Sequence, residues 1–225
     1  MQFSDMQIPF KKKLLSLLGA SVLILIIFLA SPGQNQTTCA PPTYSKVLLV
    51  GFEPFGGESL NSSSEAIDYW NNNIRASYDF TEDIVFKIIR LPVNHEQSVN
   101  FLTPILDEWN PDLILMFGMY WDNDGVRLEQ FARSKDLKEE TRLPIAKLKK
   151  AYEEAGIEVY VSNDAGNYVC NYLFYSVMDY LNQKGKDRVV AGFIHVPRVN
   201  QDGFSKPVLG KVVNIAVTSI LGYDE

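Results

Sequence analysis

Apolar residues follow two alternating patterns along the chain from residue 46 to the C-terminus. Short continuous apolar runs, several interrupted by glycine near their ends, are typical of buried parallel strands. Stretches with apolar residues three and four positions apart, preceded by Ser or Asn, predict helices. The predicted strands are 46–52, 83–91, 112–118, 157–163 and 188–196, and the predicted helices are 62–74, 94–109 or 98–109, 144–155, 169–183 and 206–221.

This alternation predicts one α/β domain over residues 45–225, with a mostly parallel sheet between two helical layers. The 225 residues allow one domain of ordinary size and a short appendage. Functional sites of such α/β/α sandwiches lie beyond the carboxyl ends of the strands. The residues just after positions 51, 118, 163 and 194 are therefore the first candidates for a site.

An uncharged apolar segment at residues 14–30 directly follows Lys11, Lys12 and Lys13. As a helix, this segment would extend about 25 Å, slightly less than the ~30 Å hydrocarbon core of a membrane. The lysines favour a cytoplasmic location for residues 1–13 and send the rest of the chain outward. We expect an uncleaved transmembrane anchor, with the domain on the non-cytoplasmic side.

Two other interpretations of the apolar segment stay open. A cleaved signal would yield a secreted or periplasmic protein, but cleavage after Ala30 puts bulky Phe28 where a small residue is preferred. A buried core helix is disfavoured by the lysine flank and by the polar stretch that follows. That stretch, residues 31–44, contains prolines and no apolar periodicity, so we interpret it as a linker in which Cys39 is an exposed thiol.

Composition and charge exclude several classes of protein. Hydrophobic residues make up 46% of the chain and charged residues 21%, which is a globular composition. Residues 45–225 contain 18 basic and 26 acidic residues, a net charge of −8, which argues against a nucleic-acid partner. Two cysteines are too few for a disulfide scaffold or a Cys-only zinc site.

Three residues near the expected edge of the sheet are suited to nucleophilic catalysis. Cys170 lies at the start of a predicted helix, where unpaired N–H groups and the helix dipole stabilise a thiolate. His195 ends the last strand and can act as the base and then protonate a leaving amine. Glu129 can orient that imidazole. Their structural alternatives are a buried thiol, a core imidazole and a solvated carboxylate at a strand edge.

The surrounding sequence resembles the pyroglutamyl-peptidase I (pyrrolidone-carboxylate peptidase) family of cysteine peptidases. GFEPFGG at 51–57, followed by Asn61, is similar to the N-terminal signature of that family. AGNYVCN at 165–171 resembles its cysteine motif, and GFIHVP at 192–197 resembles its histidine motif. The resemblance extends from residue 45 to about residue 200.

The resemblance implies a thiol exopeptidase that removes N-terminal pyroglutamate (5-oxoproline) from small peptides with a blocked N-terminus. It implies Cys170 as nucleophile, His195 as general base and acid, and Glu129 as the orienting carboxylate. The fold implied is again the three-layer α/β/α arrangement. Neither a metal nor a cofactor is expected.

The loop after the first strand is expected to bind the pyroglutamyl ring, which is small and uncharged. Phe52 and Phe55 would form apolar walls, Asn61 belongs to the same signature, and Gly56 would let the backbone pass close to the ring. The backbone N–H of Cys170 is the expected oxyanion donor because it opens a helix.

The chain departs from the family after Glu129, where family members have a longer segment that helps to cover the substrate. Three hypotheses therefore remain. The first is the pyroglutamyl exopeptidase, and the second is a hydrolase of another small N-acyl amide that uses the same residues. The third is a catalytically silent binding protein on the same fold. The oligomeric state is left open.

Overall fold

The computed structural model describes residues 44–121, 125–201 and 203–223. The apolar segment 14–30 and Cys39 lie outside these residues, so the anchor and the exposed thiol stay predictions. In the described part of the chain, no helix has both the length and the apolar character needed to cross a membrane.

The described residues form a six-stranded sheet, a two-stranded hairpin and five α-helices. The strands are β1 (Lys46–Phe52), β2 (Val85–Leu91), β3 (Leu113–Met119), β4 (Val126–Glu129), β5 (Phe131–Ser134), β6 (Leu137–Glu140), β7 (Val159–Ser162) and β8 (Val190–Val196). The helices are α1 (Ser62–Tyr69), α2 (His95–Glu108), α3 (Ile145–Glu154), α4 (Val169–Gln183) and α5 (Lys206–Leu221).

The strand order of the large sheet is β2-β1-β3-β8-β4-β7. Strands β2, β1, β3 and β8 are parallel, β4 is antiparallel to β8, and β7 is parallel to β4. The mostly parallel sheet is confirmed. However, β7 runs against the four parallel strands, so the expectation that residue 163 follows a strand end at their carboxyl edge was wrong. The direction is reversed because β4 is antiparallel to β8, and β7 in turn is parallel to β4.

Strands β4, β5 and β6 were not predicted from the sequence. Each has four residues, which is too short for an alternating pattern to stand out. Strands β5 and β6 form the hairpin, and Lys135 at its turn has a φ of 54°. Strand β4 places Glu129 inside the sheet, where its side chain is fully buried.

Two hydrophobic clusters lie on opposite faces of the sheet. Val47 and Leu49 of β1 pack in one cluster with residues of α1, α3 and α5. Leu48 and Val50 pack in the other with residues of α2 and α4. Because successive strand residues point to opposite faces, the sheet is covered on both sides, and the layers are helix, sheet and helix.

The first predicted helix differs most from its prediction. It is α-helical to Tyr69 and continues as a π-helical turn, Trp70–Ile74. Helix α5 packs tightly here, since a Cβ atom at Gly210 would lie 2.5 Å from Cδ1 of Tyr69. The other four helices match their predicted bounds to within one residue, with Asn94 as the N-cap of α2.

Candidate active site

A cavity of about 350 Å³ opens at the carboxyl edge of β1, β3 and β8, beside the first turn of α4. Its lining residues are Phe52, Phe55, Asn61, Val93, Met119, Tyr120, Trp121, Ala165, Gly166, Tyr168, Val169, Cys170 and His195. Five of the seven predicted site residues are among them. Glu129 lies behind His195, and Gly56 is not part of the lining. A larger depression of about 700 Å³ between α3 and α5 contains none of the predicted residues.

Cys170 is the second residue of α4, and its thiol is partly buried and free. The N-cap residue, Tyr168, makes no side-chain cap hydrogen bond. The N–H groups of the first turn therefore have no acceptor within the helix and carry its partial positive charge. The sulfur also lies close to β3, because a Cβ atom at Gly118 would be 2.9 Å from Sγ of Cys170. Glycine at this position leaves room for the thiol.

His195 and Glu129 meet through the antiparallel pairing of β8 and β4. Glu129 is opposite Phe193 in the ladder, which makes His195 its diagonal neighbour on the same face. Nδ1 of His195 lies 2.8 Å from Oε1 of Glu129, and both side chains are buried. With Nδ1 held by the carboxylate, Nε2 is the nitrogen left to face Cys170. The second oxygen of Glu129, Oε2, has no hydrogen-bond partner among the described residues.

The pKa of His195 reflects opposing influences. Burial lowers it, but the charge of Cys170 and its hydrogen bond, together with the hydrogen bond and charge of Glu129, raise it to about 9. An imidazole between two acidic groups gains its proton more readily, because each negative charge favours the charged ring. The net rise favours the charged ring of His195 at neutral pH, between the sulfur of Cys170 and the carboxylate of Glu129.

Aromatic side chains form much of the cavity wall. The ring centres of Phe52 and Phe193 are 6.4 Å apart, so the aromatic wall of the cavity continues into the hydrophobic core. Phe55 lies nearer the opening, with its ring centre 6.0 Å from Trp121 and 6.3 Å from Tyr168. Both predicted apolar residues thus face the cavity. Trp121 and Tyr168 were missed by the sequence analysis, although Tyr168 belongs to the quoted cysteine motif.

The two other predicted residues of this loop have local structural roles. Gly56 has a φ of 63° and lies in the turn that follows Phe55. Asn61 is the N-cap of α1, because its Oδ1 accepts from the backbone N–H of Ser63. Its Nδ2 donates to the carbonyl of Glu53. Asn61 therefore lines the cavity while its side-chain amide holds the loop between β1 and α1.

Asn171 connects the start of α4 to the hairpin. Its Oδ1 accepts from the N–H of Arg133, and its Nδ2 donates to the carbonyl of the same residue, both at 2.8 Å. This pair of bonds imitates the pairing of two strands and anchors β5 beside the cysteine. Asn171 belongs to the cysteine motif, but its role was not predicted from the sequence, since the hairpin was not predicted either.

The residues around the cavity suit covalent acyl transfer more than metal binding. Across the described residues, no group of three or more His, Cys, Asp or Glu side chains is placed to hold a metal ion. The cavity has a thiol and an imidazole at one end, with a carboxylate buried behind the imidazole, and a mainly apolar wall at the other end. This arrangement suits attack of sulfur on a carbonyl group whose neighbouring part is uncharged.

Comparisons with known proteins show which family this chain is similar to in sequence and fold. The model of the pyroglutamyl peptidase family matches residues 45–139 and 122–221. The pyrrolidone-carboxylate peptidase of Clostridium perfringens is 32% identical in an alignment of 184 positions that covers 72% of this chain and 83% of that protein. Its counterpart from Brachyspira hyodysenteriae is 30% identical, over 72% of this chain and 88% of that protein. The crystal structure of pyroglutamyl peptidase I from Bacillus amyloliquefaciens superposes with a TM-score of 0.68 at 26% identity, covering 79% of this chain and 97% of that one.

Proposed function

Because the chain belongs to the pyroglutamyl peptidase family of cysteine peptidases, we propose that it hydrolyses the amide bond after an N-terminal pyroglutamyl residue of a peptide. One observation carries the proposal. The edge of a cavity with apolar walls carries a thiol at a helix start and, beside it, a buried imidazole. A buried carboxylate lies behind the imidazole. Cys170 is the proposed nucleophile, His195 the general acid and base, and Glu129 the orienting group.

In the first half of the reaction, the sulfur of Cys170 attacks the pyroglutamyl carbonyl carbon. The new C–S bond forms as the carbonyl electron pair moves onto oxygen. In this proposal, the N–H groups at the start of α4, including that of Cys170, bind the developing oxyanion. His195 gives its proton to the amide nitrogen, the C–N bond breaks, and the shortened peptide leaves with a free amino terminus.

In the second half, water hydrolyses the thioester. Neutral His195 takes a proton from the water, the hydroxyl group adds to the acyl carbon, and the C–S bond breaks. Pyroglutamate leaves and the imidazolium facing Cys170 is restored. Glu129 keeps Nδ1 protonated and holds the ring in one orientation through both halves of the reaction. Nε2 is therefore the nitrogen that gives and takes the proton.

The cavity wall favours the pyroglutamyl ring over a charged N-terminal residue. Among the described residues that line the cavity, His195 is the one with a basic side chain, and none of them has a carboxylate to receive an ammonium group. Phe52 and Phe55 offer apolar surface to the ring, and 350 Å³ is ample for a five-membered lactam. An unblocked N-terminal amine would lose its hydration there without a partner.

The test compares two amides whose five-membered rings differ at one carbon, which is a carbonyl in the pyroglutamyl ring and a methylene group in the prolyl ring. The full chain, purified in mild detergent with reductant, is incubated with a pyroglutamyl and a prolyl fluorogenic amide, and Cys170→Ala serves as the inactive control. We expect the pyroglutamyl amide alone to be hydrolysed. Hydrolysis of a different N-acyl amide in its place would overturn the substrate, and equal activity of Cys170→Ala would overturn the thiol mechanism.

We also propose that residues 14–30 anchor the enzyme in a membrane and that residues 31–44 link this anchor to the domain. Lys11, Lys12 and Lys13 before the apolar run support the orientation, with the domain on the non-cytoplasmic side. Protease added outside intact cells or spheroplasts should digest the domain. Complete protection of the domain, or its recovery in the soluble fraction as a chain that still begins at residue 1, would contradict the anchor.

A further inference from the structure

Beside the cavity, three aromatic side chains form an exposed strip, which we define as Tyr168, His95 and Tyr172. The ring centres of Tyr168 and His95 are 5.7 Å apart, and those of His95 and Tyr172 are 5.1 Å apart. Both contacts are edge-to-face, which is a favourable geometry for aromatic pairs. Tyr168 is 56% exposed and Tyr172 is 40% exposed. The strip therefore offers solvent a continuous aromatic surface.

The strip is continuous with the candidate active site. Tyr168 lines the cavity and contacts Phe55 inside it, whereas Tyr172 lies outside, on the far side of His95. The three residues come from two elements, the start of α4 and the start of α2, so the strip crosses the gap between two helix ends. A chain leaving the cavity on this side passes over Tyr168 first and Tyr172 second.

The spacing of the rings suits a peptide. An extended chain advances about 3.3–3.6 Å per residue. Tyr172 lies one helical turn beyond Tyr168, since its N–H donates to the carbonyl of Tyr168. One turn rises about 5.4 Å, which an extended chain covers in between one and two residues. In the proposed reaction the carbonyl carbon must touch the sulfur of Cys170, and the residues that follow the scissile bond must lie outside the cavity. Tyr168 is near enough to meet the first of them, and Tyr172 the second.

We infer that the aromatic strip binds the leaving part of the substrate, and that the enzyme prefers peptides with a large apolar or aromatic side chain at the second residue after the pyroglutamyl group. This inference rests on the proposed function. A side chain that packs on Tyr172 covers surface that is otherwise exposed, and an aromatic side chain adds ring-to-ring contact. Glycine at the same place makes neither contact.

The test is a competition between two peptides in one tube. The peptides are the amides of pyroglutamyl-alanyl-phenylalanine and pyroglutamyl-alanyl-glycine, which differ only at the residue expected on Tyr172. The full chain should cleave the phenylalanine peptide with a kcat/KM about threefold to tenfold higher. Tyr172→Ala should bring this ratio close to one, and Tyr172→Phe should preserve it.

Phe101→Ala is the matched control, because Phe101 is a 54% exposed aromatic residue of α2 that does not line the cavity. It should leave the ratio unchanged. A purely structural effect of Tyr172→Ala would lower both rates equally and keep the ratio high, which would overturn the inference. A ratio near one in the unmodified enzyme would also overturn it while leaving the proposed function intact. Failure to cleave either peptide would overturn both.

Discussion

Nδ1 of His195 lies 2.8 Å from Oε1 of Glu129, and the two side chains come from neighbouring strands that run in opposite directions. Both residues are buried, so their charges interact in a medium that screens them weakly. The carboxylate therefore acts on the imidazole in two ways. It fixes the ring through the hydrogen bond, and it favours the protonated form.

Glu129→Gln separates these two effects, because the amide keeps the size of the side chain and an acceptor oxygen but loses the charge. We expect kcat/KM on a pyroglutamyl amide to fall about 10²-fold. Since Glu129 helps to raise the pKa of His195, the alkaline limb of the pH profile should move to lower pH. Glu140→Gln, which changes an exposed carboxylate of the hairpin, is the control and should shift neither quantity. An unmoved alkaline limb would contradict the role of Glu129.

The titration of His195 can be followed directly by NMR, because the chain has only two histidines and His95→Gln assigns them. We expect His195 to titrate near pH 9 and Cys170→Ala to lower that value, since the sulfur contributes most to raising the pKa. The raised pKa stabilises the fold most fully below about pH 6.5, and this contribution is lost as the pH rises through about 9. Cys170→Ala should lose the share of this pH dependence that the sulfur contributes, while Glu129 keeps the rest, as measured by chemical unfolding at several pH values. A His195 that titrates below 6.5 in the unmodified protein would contradict the ion pair.

The comparison of sequence and structure shows which features a local pattern can reveal. Strand β1 and helices α4 and α5 have the bounds that their apolar patterns predict. Strand β4 was missed, because its four residues acquire their conformation by pairing with β8 and β7, far away in the sequence. Strand direction depends on the same long-range pairing, which is why the reversal of β7 was also missed.

The candidate site shows the same division. Cys170 and His195 follow from their positions at a helix start and a strand end, which the sequence reveals. Glu129 was also expected to orient His195, but because β4 was not predicted, the sequence did not show how the two residues meet. The contacts of Gly118 and Asn171 were missed, because they depend on a neighbouring strand and on the hairpin, which are distant in the sequence.

Gly118→Ala tests the room made for the thiol. A Cβ atom at this position would lie 2.7 Å from the ring of Phe193 and 2.9 Å from Sγ of Cys170. One of these groups must move, so we expect kcat/KM to fall at least tenfold and the free energy of unfolding to fall by about 1–3 kcal/mol. Gly210→Ala crowds the contact between α1 and α5 instead and should reduce stability without the loss in kcat/KM. Full activity in Gly118→Ala would show that the thiol does not depend on this space.

Asn171→Ala tests the link between α4 and the hairpin. It removes two hydrogen bonds and leaves the N–H and carbonyl groups of Arg133 without these partners, so we expect a loss of about 1–3 kcal/mol in unfolding free energy. Hydrogen exchange should speed up in β5 and β6 more than in the sheet. Asn182→Ala also removes two side-chain hydrogen bonds, one to Glu139 and one from Arg142, but both are exposed, so this control should have little effect on unfolding. Equal losses in the two variants would mean that the pairing with β5 contributes little.

The last prediction concerns Cys39 and Cys170, the two cysteines of the chain. Thiols tend to pair in an oxidising compartment, which is where the proposed anchor would place the domain. Cys170 lies at the carboxyl edge of the sheet, whereas Cys39 is connected to the amino end of β1. A strand of seven residues spans about 23 Å. The seven residues from Cys39 to Lys46 span at most about 25 Å, and a disulfide needs Cα atoms within about 7 Å.

A bridge would therefore require the segment before β1 to run back along the domain in nearly full extension. We expect no intramolecular disulfide and two free thiols when the unreduced protein is denatured and its thiols are counted. Cys39→Ser should then leave both activity and its dependence on reductant unchanged. Three results together would contradict this prediction: no free thiols, activity that appears only after reduction, and activity of Cys39→Ser that does not depend on reductant. They would show that a disulfide from Cys39 blocks the sulfur of Cys170.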